Sequence, residues 1–378
     1  MSSFGLLGTE SSVYPNDVLF GQQWYLYNDG QFGGVPGSDV GALGAWSIAN
    51  TSPNVVVAVL DSGIQLDHPD LKDNIWINQN EIPGNNIDDD NNNYTDDVTG
   101  WSYDSGSSNQ VRFKKPLAHG THVAGIIGAT GDNGIGITGV TWDVQIMPLE
   151  VSTGFTNKDG VTLFDAEYDY FGKAIRYAVD NGASVINISQ GRTKFGMSYE
   201  DWKNENPIYH QWRFEALQYA VDNGVTVVFA AGNQDKEIGD NNTIWPNYIG
   251  TMLEGVIIVG SITDTGMPTH YTNWGDFVDI SAPGGNGEEQ ISRDVLSTNK
   301  NDSYELTFGT STAAPLVTGT IALMLGIDPS LTPARVEQIL KESATKSKIL
   351  AEQELGDGLV LDIESALRMT KELLEKSS

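Results

Sequence analysis

The sequence predicts an α/β protein with a mostly parallel central sheet and helices on both faces. Three observations lead there. The run Asn54–Leu60 (NVVVAVL) is short, β-branched and apolar throughout, the pattern of a strand buried on both sides. Two segments repeat one theme: Tyr177–Gly182 (YAVDNG) runs into ASVIN, and Tyr219–Gly224 (YAVDNG) runs into VTVVF. In each, a helix ends at Gly and an apolar strand follows at once, and units of this kind build parallel sheets under covering helices. Finally, Ser311–Leu325 is nearly all apolar, as a helix inside a core must be.

The other elements follow in chain order. His119–Ala129 (HGTHVAGIIGA) places small and apolar residues at helical spacing. Val256–Gly260 and Phe277–Ile280 read as further short strands. Pro315 is compatible with the apolar helix only in its first turn, where the missing N–H costs nothing. Thr332-Pro333 opens an amphipathic helix with Val336, Ile339 and Leu340 on one face. The absence of a Pro/Ser-rich linker favours one domain over residues 16–370, with insertions at about 76–115 and 192–213. Residues 1–15 form an N-terminal extension and 371–378 a C-terminal tail.

Composition narrows the function. Among 378 residues, 50 acids against 21 bases give a formal charge of -29. Nucleic acid is excluded as a partner, because phosphate repels so acidic a surface. Cysteine is absent, which removes disulfides, thiol catalysis and Cys-ligated zinc. No apolar run approaches the roughly 20 residues of a membrane helix, so no membrane partner is expected. Met1–Glu10 has neither a basic region nor a long apolar run, so no signal peptide is visible and the compartment stays open.

Residues 85–97 read NNIDDDNNNYTDD, with five Asp. Asn and Asp favour turns, so one reading is a solvated loop. The sharper reading is a calcium loop, since hard oxygen ligands at alternate positions suit Ca²⁺. Asp88, Asp90 and Asn92 alternate in that way, and Asp96 or Asp97 would close the cage. The Gly and distal Glu of an EF-hand are missing.

Three short motifs hold the chemistry. Asp61-Ser62-Gly63 follows the first strand, His119-Gly120-Thr121-His122 opens a helix, and Gly309-Thr310-Ser311 opens the apolar helix. Alone, the Asp reads as a turn residue and the Ser as a helix cap. Together they supply an acid, a base and a nucleophile at the ends of buried elements. A serine hydroxyl is a poor nucleophile until an imidazole takes its proton, and the imidazole needs a carboxylate to fix its tautomer. His68 and His122 read as structural, His210 and His270 as exposed.

These motifs resemble those of the subtilases, the subtilisin-like serine proteases, in the order Asp, His, Ser. Asp61-Ser62-Gly63 with His68-Pro69-Asp70-Leu71 resembles the family's first motif, HGTHVAGIIGA its second and GTSTAAPLVTG its third. Ala230-Ala231-Gly232-Asn233 resembles the segment bearing the oxyanion asparagine. The match runs from about Asn16 to Leu367 and implies the three-layer subtilisin-like fold. It further implies Ser311 as nucleophile, His119 as general base and acid, and Asp61 as its orienting carboxylate. Asn233 and the Ser311 backbone N–H would be oxyanion donors, with the Thr310 hydroxyl as a helper. Ser189, Gln190 and Gly191 would form the substrate-pairing strand, and Ala230, Ala231 and Gly232 would line the first specificity pocket. Thr243–Pro246 resembles the strand closing that pocket, with Asp240 close by in sequence. The resemblance also suggests calcium ligands in Asp17, Asp70 and the loop 131–137 with Asn133.

The departures are Thr312 for the usual Met, Gln190 for a frequent Leu, and Leu316 for a common His. The expectation is a calcium-stabilised serine endopeptidase, monomeric, acting on a peptide or protein substrate. Residues 192–213 read either as an ornamental loop or as a wall or lid over the cleft. The lid keeps a second expectation alive, a peptide-processing transpeptidase or macrocyclase on the same scaffold. A non-catalytic calcium-stabilised binding protein is a third reading, against which the complete set of Asp61, His119, Asn233 and Ser311 argues.

Overall fold

The computed structural model describes residues 13–103, 105–107, 118–151, 154–156, 162–164, 170–189, 192–195, 199–237, 242–245, 250–287 and 292–377. Besides short 3-10 turns, the first half contains α1 (Ala42–Ala45), β1 (Val56–Asp61), β2 (Trp101–Ser102), α2 (His119–Gly128), β3 (Gln145–Glu150), β4 (Gly154–Thr156), β5 (Thr162–Phe164), α3 (Tyr170–Asp180) and β6 (Val185–Ile188). Then come β7 (Arg192–Phe195), α4 (Tyr199–Glu205), α5 (Pro207–Asp222), β8 (Thr226–Ala230), β9 (Asn242–Trp245), β10 (Val256–Ile262) and β11 (Ile280–Pro283). The chain closes with β12 (Val295–Asn299), β13 (Ser303–Thr307), α6 (Thr310–Ile327), α7 (Pro333–Ser343), β14 (Thr345–Lys346), α8 (Lys348–Glu352), β15 (Leu359–Val360) and α9 (Ile363–Ser377).

Nine strands form one sheet in the order β14-β15-β11-β10-β8-β6-β1-β3-β2. Every pair from β15 to β2 is parallel, and β14 alone is antiparallel, at one edge. The central strands are buried along their whole length, which is why they read as continuous apolar runs. Their side chains alternate between two cores. Val57, Val59, Val185, Val228 and Val259 face one layer, formed with Val123, Ile126 and Ile127 of α2, the buried length of α6, Val336 and Ile339 of α7, and Ile363 and Leu367 of α9. Val56, Ala58, Leu60, Ile186, Val227 and Ile258 face the other, formed with Ile175 and Tyr177 of α3 and Ala216, Leu217 and Ala220 of α5. The result is the expected three-layer arrangement. Each fully buried Val, Leu or Ile contributes roughly 1.5–3 kcal/mol relative to exposure. Among the described residues, α6 is the one helix long and apolar enough to cross a membrane, and 89% of it is buried inside the protein.

The elements differ from the sequence expectation at four places. The strand expected at 277–280 begins at Ile280, because Gly275–Val278 closes a turn and the chain joins β10 only where Ile280 pairs with Val259. Pro315 lies inside α6, beyond the first turn. Its absent N–H leaves the Ser311 carbonyl without its helical donor, and the Ser189 hydroxyl donates to that carbonyl at 3.3 Å. Residues 207–213 of the expected insertion are helical and continue into α5, with Pro207 at its first turn. Residues 371–377, expected as a tail, extend α9, and Leu373 packs against the core. The expected N-terminal extension up to residue 12 lies outside the described residues, as do 108–117 and 196–198 of the two insertions.

Candidate active site

β8, β6 and β1 are neighbours, and their carboxyl ends form one rim. Open α/β sheets place ligands outside such ends. Asp61 is the last residue of β1, Ser189 follows β6 directly, and Asn233 follows β8 by three residues. The helices that begin at His119 and Thr310 pack on each other over one face of the sheet.

His119 Nδ1 lies 2.9 Å from both carboxylate oxygens of Asp61. The Ser62 N–H also donates to Asp61 Oδ1 at 2.7 Å, which fixes the carboxylate plane. Asp61 is fully buried, whereas the His119 side chain keeps 36% of its surface exposed. Crowding around the ring disfavours its charged form, but the Asp61 charge and hydrogen bond outweigh that and raise the His119 pKa above its usual 6.5. With Nδ1–H directed at Asp61, the lone pair of the neutral ring is on Nε2. Gly120 permits the approach: a Cβ there would meet Gly63 O at 2.4 Å.

Ser311 is the second residue of α6. Around it, Thr310 acts as a clamp on Asn233. Its N–H and its hydroxyl both donate to Asn233 Oδ1, each at 2.8 Å, and its hydroxyl accepts from the Gly232 N–H at 2.9 Å. The Thr310 proton is therefore spent on orienting Asn233, where the sequence suggested a direct oxyanion helper. With Oδ1 occupied, the amide orientation is set and Nδ2 faces the nucleophile. A Cβ built on Gly309 would lie 2.9 Å from Asn233 Nδ2 and 3.0 Å from Ser311 Oγ. Ser311 Oγ and the Asn233 amide thus converge in front of Gly309, the one residue type with no side chain to come between them. No hydrogen bond joins the Ser311 hydroxyl to His119 among the described residues; such bonds tighten when a substrate is bound.

Ser189 is buried, accepts from Asn187 Nδ2 at 2.9 Å and reaches Ser311 through its carbonyl. Gln190 and Gly191 lie outside the described residues, as do Asp240 and Pro246. Ala230 and Ala231 are buried at the end of β8, and Gly232 holds a φ of +101°. β7, the start of the expected insertion, pairs antiparallel with β9 in the register Arg192 opposite Trp245. The segment after the substrate strand is thus zipped to the segment expected to close the pocket.

Two oxygen-rich groups contain the residues expected as calcium ligands. Asp17, Asp70 and the loop after α2 converge. Asp17 accepts from the Asp132 N–H at 2.8 Å, Asp70 accepts from Asn133 Nδ2 at 3.0 Å and from the Ile137 N–H at 3.0 Å. Burial raises the Asp17 pKa, backbone N–H groups oppose it, and the nearby Asp70 adds to the rise. In the acidic loop, oxygens of Glu81, Asp90 and Asp97 come within 4.8 Å of one another. Asn78 Nδ2 donates to Asp90 and Asp97, and Tyr177 on α3 donates its hydroxyl to Asp97. Glu81 Oε2 is buried with no hydrogen-bond partner among the described residues. Asp88 stands apart, its oxygens taken by the N–H groups of Asn92 and Asn93. Asn92 turns Nδ2 to Asp90 and Asp97, and its Oδ1 accepts from the Tyr94 N–H. Glu81 escaped the sequence reading because it precedes the Asp run; the spacing Asn78–Glu81 just before a Pro-Gly turn was the available signal.

The other histidines are structural or peripheral. His122 is buried, contacts the carbonyls of Val295 and Glu305 through Nε2, and has its pKa pushed down to about 4 by burial and by His119. His68 bridges the Asp70 N–H and the Ser303 carbonyl. His210 is half-buried and stacked on Phe214, rather than exposed as the sequence suggested; His270 is exposed beside Tyr271.

The fold and the rim define a class: a parallel sheet covered on both faces, with a bonded Asp–His pair and a helix-terminal serine at its carboxyl edge. The sequence model of the subtilase family matches residues 52–358, and the chain belongs to that family. It is 31% identical over 360 residues to the extracellular basic protease of Dichelobacter nodosus, covering 92% of this chain and 54% of that protein. It is 31% identical over 322 residues to the major intracellular serine protease of Bacillus subtilis, covering 85% of this chain and 81% of that protein. Among solved structures, a protease of Pseudoalteromonas arctica aligns over 95% of this chain and all of its own, with a TM-score of 0.67 and 26% identity. The chain spans about half the length of the Dichelobacter nodosus protein and 31% of the cell wall-associated protease of Bacillus subtilis.

Proposed function

We propose that the chain is a serine endopeptidase that cleaves peptide bonds through an acyl-enzyme. The observation that supports this most is the convergence of Ser311 Oγ and an Asn233 amide, whose orientation Thr310 fixes, in front of Gly309. His119 Nε2 takes the Ser311 proton as Oγ attacks the scissile carbonyl. The C=O π pair moves onto oxygen, and that oxyanion is held by Asn233 Nδ2–H and the Ser311 N–H. Collapse breaks the C–N bond as His119 returns the proton to the leaving amine. Water repeats the sequence to free Ser311. Asp61 keeps Nδ1–H in place and stabilises the charged ring throughout. Donors fixed before reaction cost no reorganisation; removing one such donor lowers turnover by roughly 10²–10³, a figure obtained on subtilisin itself.

Calcium fits both oxygen groups. Glu81, Asp90 and Asp97 would hold one ion, since a buried carboxylate oxygen without a donor calls for a cation. Asp17, Asp70 and the 131–137 loop would hold another. A bound ion would supply positive charge to the converged carboxylates, and no step of the cleavage runs through these groups.

The test is covalent labelling with a serine-reactive phosphonofluoridate, followed by peptide mapping. The wild-type chain should label stoichiometrically at Ser311 and Ser311→Ala should not label; labelling of the variant would overturn the assignment. Mass spectrometry of products formed from a peptide with an added amine separates hydrolysis from amine transfer, the chemistry of a macrocyclase.

A further inference from the structure

The loop bearing Asn233 leaves β8, which ends at Ala230, with no regular structure of its own. It is nevertheless held on both sides by one residue. Asn273 is fully buried. Its backbone N–H donates to the Gly232 carbonyl at 2.9 Å, and its Nδ2 donates to the Ala231 carbonyl at 2.9 Å. Its Oδ1 accepts from the Gln234 N–H at 3.1 Å and the Lys236 N–H at 3.0 Å. Nδ2 also donates to Gln234 Oε1 at 2.9 Å. The contacts bracket Asn233 without touching it. The neighbouring backbone continues the pattern, with Asp235 N–H bonded to Tyr271 O and Trp274 N–H bonded to Lys236 O.

We infer that Asn273 is a positioning residue for the reaction: it sets the loop so that Asn233 presents Nδ2 to the oxyanion. The inference rests on the reading of Asn233 as the oxyanion donor. Three points favour a role in aim over a role in general packing. The side chain uses both ends of its amide, so its orientation is determined by four partners at once. Gly232 holds φ +101°, and a Cβ there would come within 2.3 Å of Asn273 Nδ2, so the loop is shaped around this amide. Thr310 grips the Asn233 side chain through its Oδ1, so the donor is held at its amide by Thr310 and through its loop by Asn273. A displacement of about 1 Å at a reacting group can cost on the order of 10²-fold in rate.

Four proteins decide it, each assayed for kcat and KM on one chromogenic peptide: the wild type, Asn233→Ala, Asn273→Ala and the double variant. Asn273→Ala should lower kcat about 10- to 100-fold with KM within about twofold. Because it acts through Asn233, the double variant should be no slower than Asn233→Ala within about twofold. Wild-type kcat in Asn273→Ala, or a loss that multiplies in full onto that of Asn233→Ala, would overturn the inference and leave the site reading intact. Wild-type kcat in Asn233→Ala would instead remove the oxyanion assignment beneath it. If Asn273→Ala fails to fold, as read from near-UV circular dichroism, Asn273→Asp replaces it in the cycle. That variant keeps the acceptor for Gln234 and Lys236 and loses the donor to Ala231. A reduced kcat that vanishes in the Asn233→Ala background supports the role, and wild-type kcat or full additivity overturns it.

Discussion

The rim around Ser311 and the loop around Asp97 are both dense in polar groups, and they solve opposite problems. At the rim the oxygens are paired one by one: Asp61 with His119 and the Ser62 N–H, Asn233 Oδ1 with Thr310, the Ser311 carbonyl with Ser189. Among the described residues, what stays open there is the Ser311 hydroxyl and the Asn233 amide N–H, both close to one point beside Gly309. In the acidic loop, backbone and amide donors crowd around Asp90 and Asp97, yet carboxylates still converge and one oxygen of Glu81 has no donor. Burial raises the Asp97 pKa, and the Asp90 charge adds to it against the Tyr177, Asn92 and Asn78 hydrogen bonds. The first region is complete in itself and waits for developing negative charge. The second carries surplus negative charge, which the proposed cation would complete. A buried polar region thus reveals what it receives by which groups it leaves unpaired.

Four changes would break or sharpen that contrast. The largest effect should come from Asp61→Asn, which removes the charge that raises the His119 pKa. Only neutral His119 can accept the Ser311 proton, so wild-type kcat/KM should rise with pH through a pKa above 6.5. In the variant, burial alone remains, which moves that limb to lower pH, and kcat should fall by about 10⁴. A pH–rate profile with an unmoved acid limb would contradict the pairing. Next, Gly309→Ala should push a methyl group against Asn233 Nδ2 and Ser311 Oγ at a φ of +139°, displace the amide donor and lower kcat by about 10²–10³. Steady-state kinetics on a small chromogenic peptide would measure it; near wild-type turnover would mean that Asn233 and Ser311 do not act together at this point.

On the other side of the comparison, excess chelator should lower the melting temperature by about 5–10 °C. Free ion at 100-fold excess over Kd contributes about 2.7 kcal/mol, at about 2–4 °C per kcal/mol for a large domain. Glu81→Gln should shrink this calcium-dependent part, and equal melting temperatures with and without Ca²⁺ would reject the metal reading. The smallest effect concerns Thr312, whose hydroxyl donates to the carbonyls of Gly284 and Gly309. Peroxide cannot oxidise it, and Met147 and Met324 are fully buried. Wild-type activity should therefore outlast that of Thr312→Met in mild peroxide. Rapid loss in the wild type, mapped to exposed Met252 or Met267, would show that residue 312 does not govern sensitivity.

Much of the fold was legible because the central strands are buried on both faces and so read as unbroken apolar runs. The twin YAVDNG turns marked the ends of α3 and α5 for the same reason that Gly182 and Gly224 hold positive φ. The start of α5 was not legible: residues 207–213 are polar and aromatic and give no amphipathic stripe. The hairpin of β12 and β13 was missed because β13 is only half-buried and mixes Ser, Glu and Thr with Tyr and Leu. At the site, residues tied to short motifs stood out, since each sits at the junction of a strand or helix. Asn273 and Glu81 did not, because each acts on partners distant in sequence or outside the run that drew attention.

Pro315 has a consequence best put in mechanical terms. In an unbroken helix, the first turn hangs from the turn above it, and any rocking of the rod moves both. Here that suspension is cut at Ser311 and replaced by a mount on Ser189, at the end of β6. Motion in the far length of α6 is not transmitted to the nucleophile through that bond, whereas a shift of the β6 end is. The start of the helix is thereby pinned to the central sheet as well as to the turns above it.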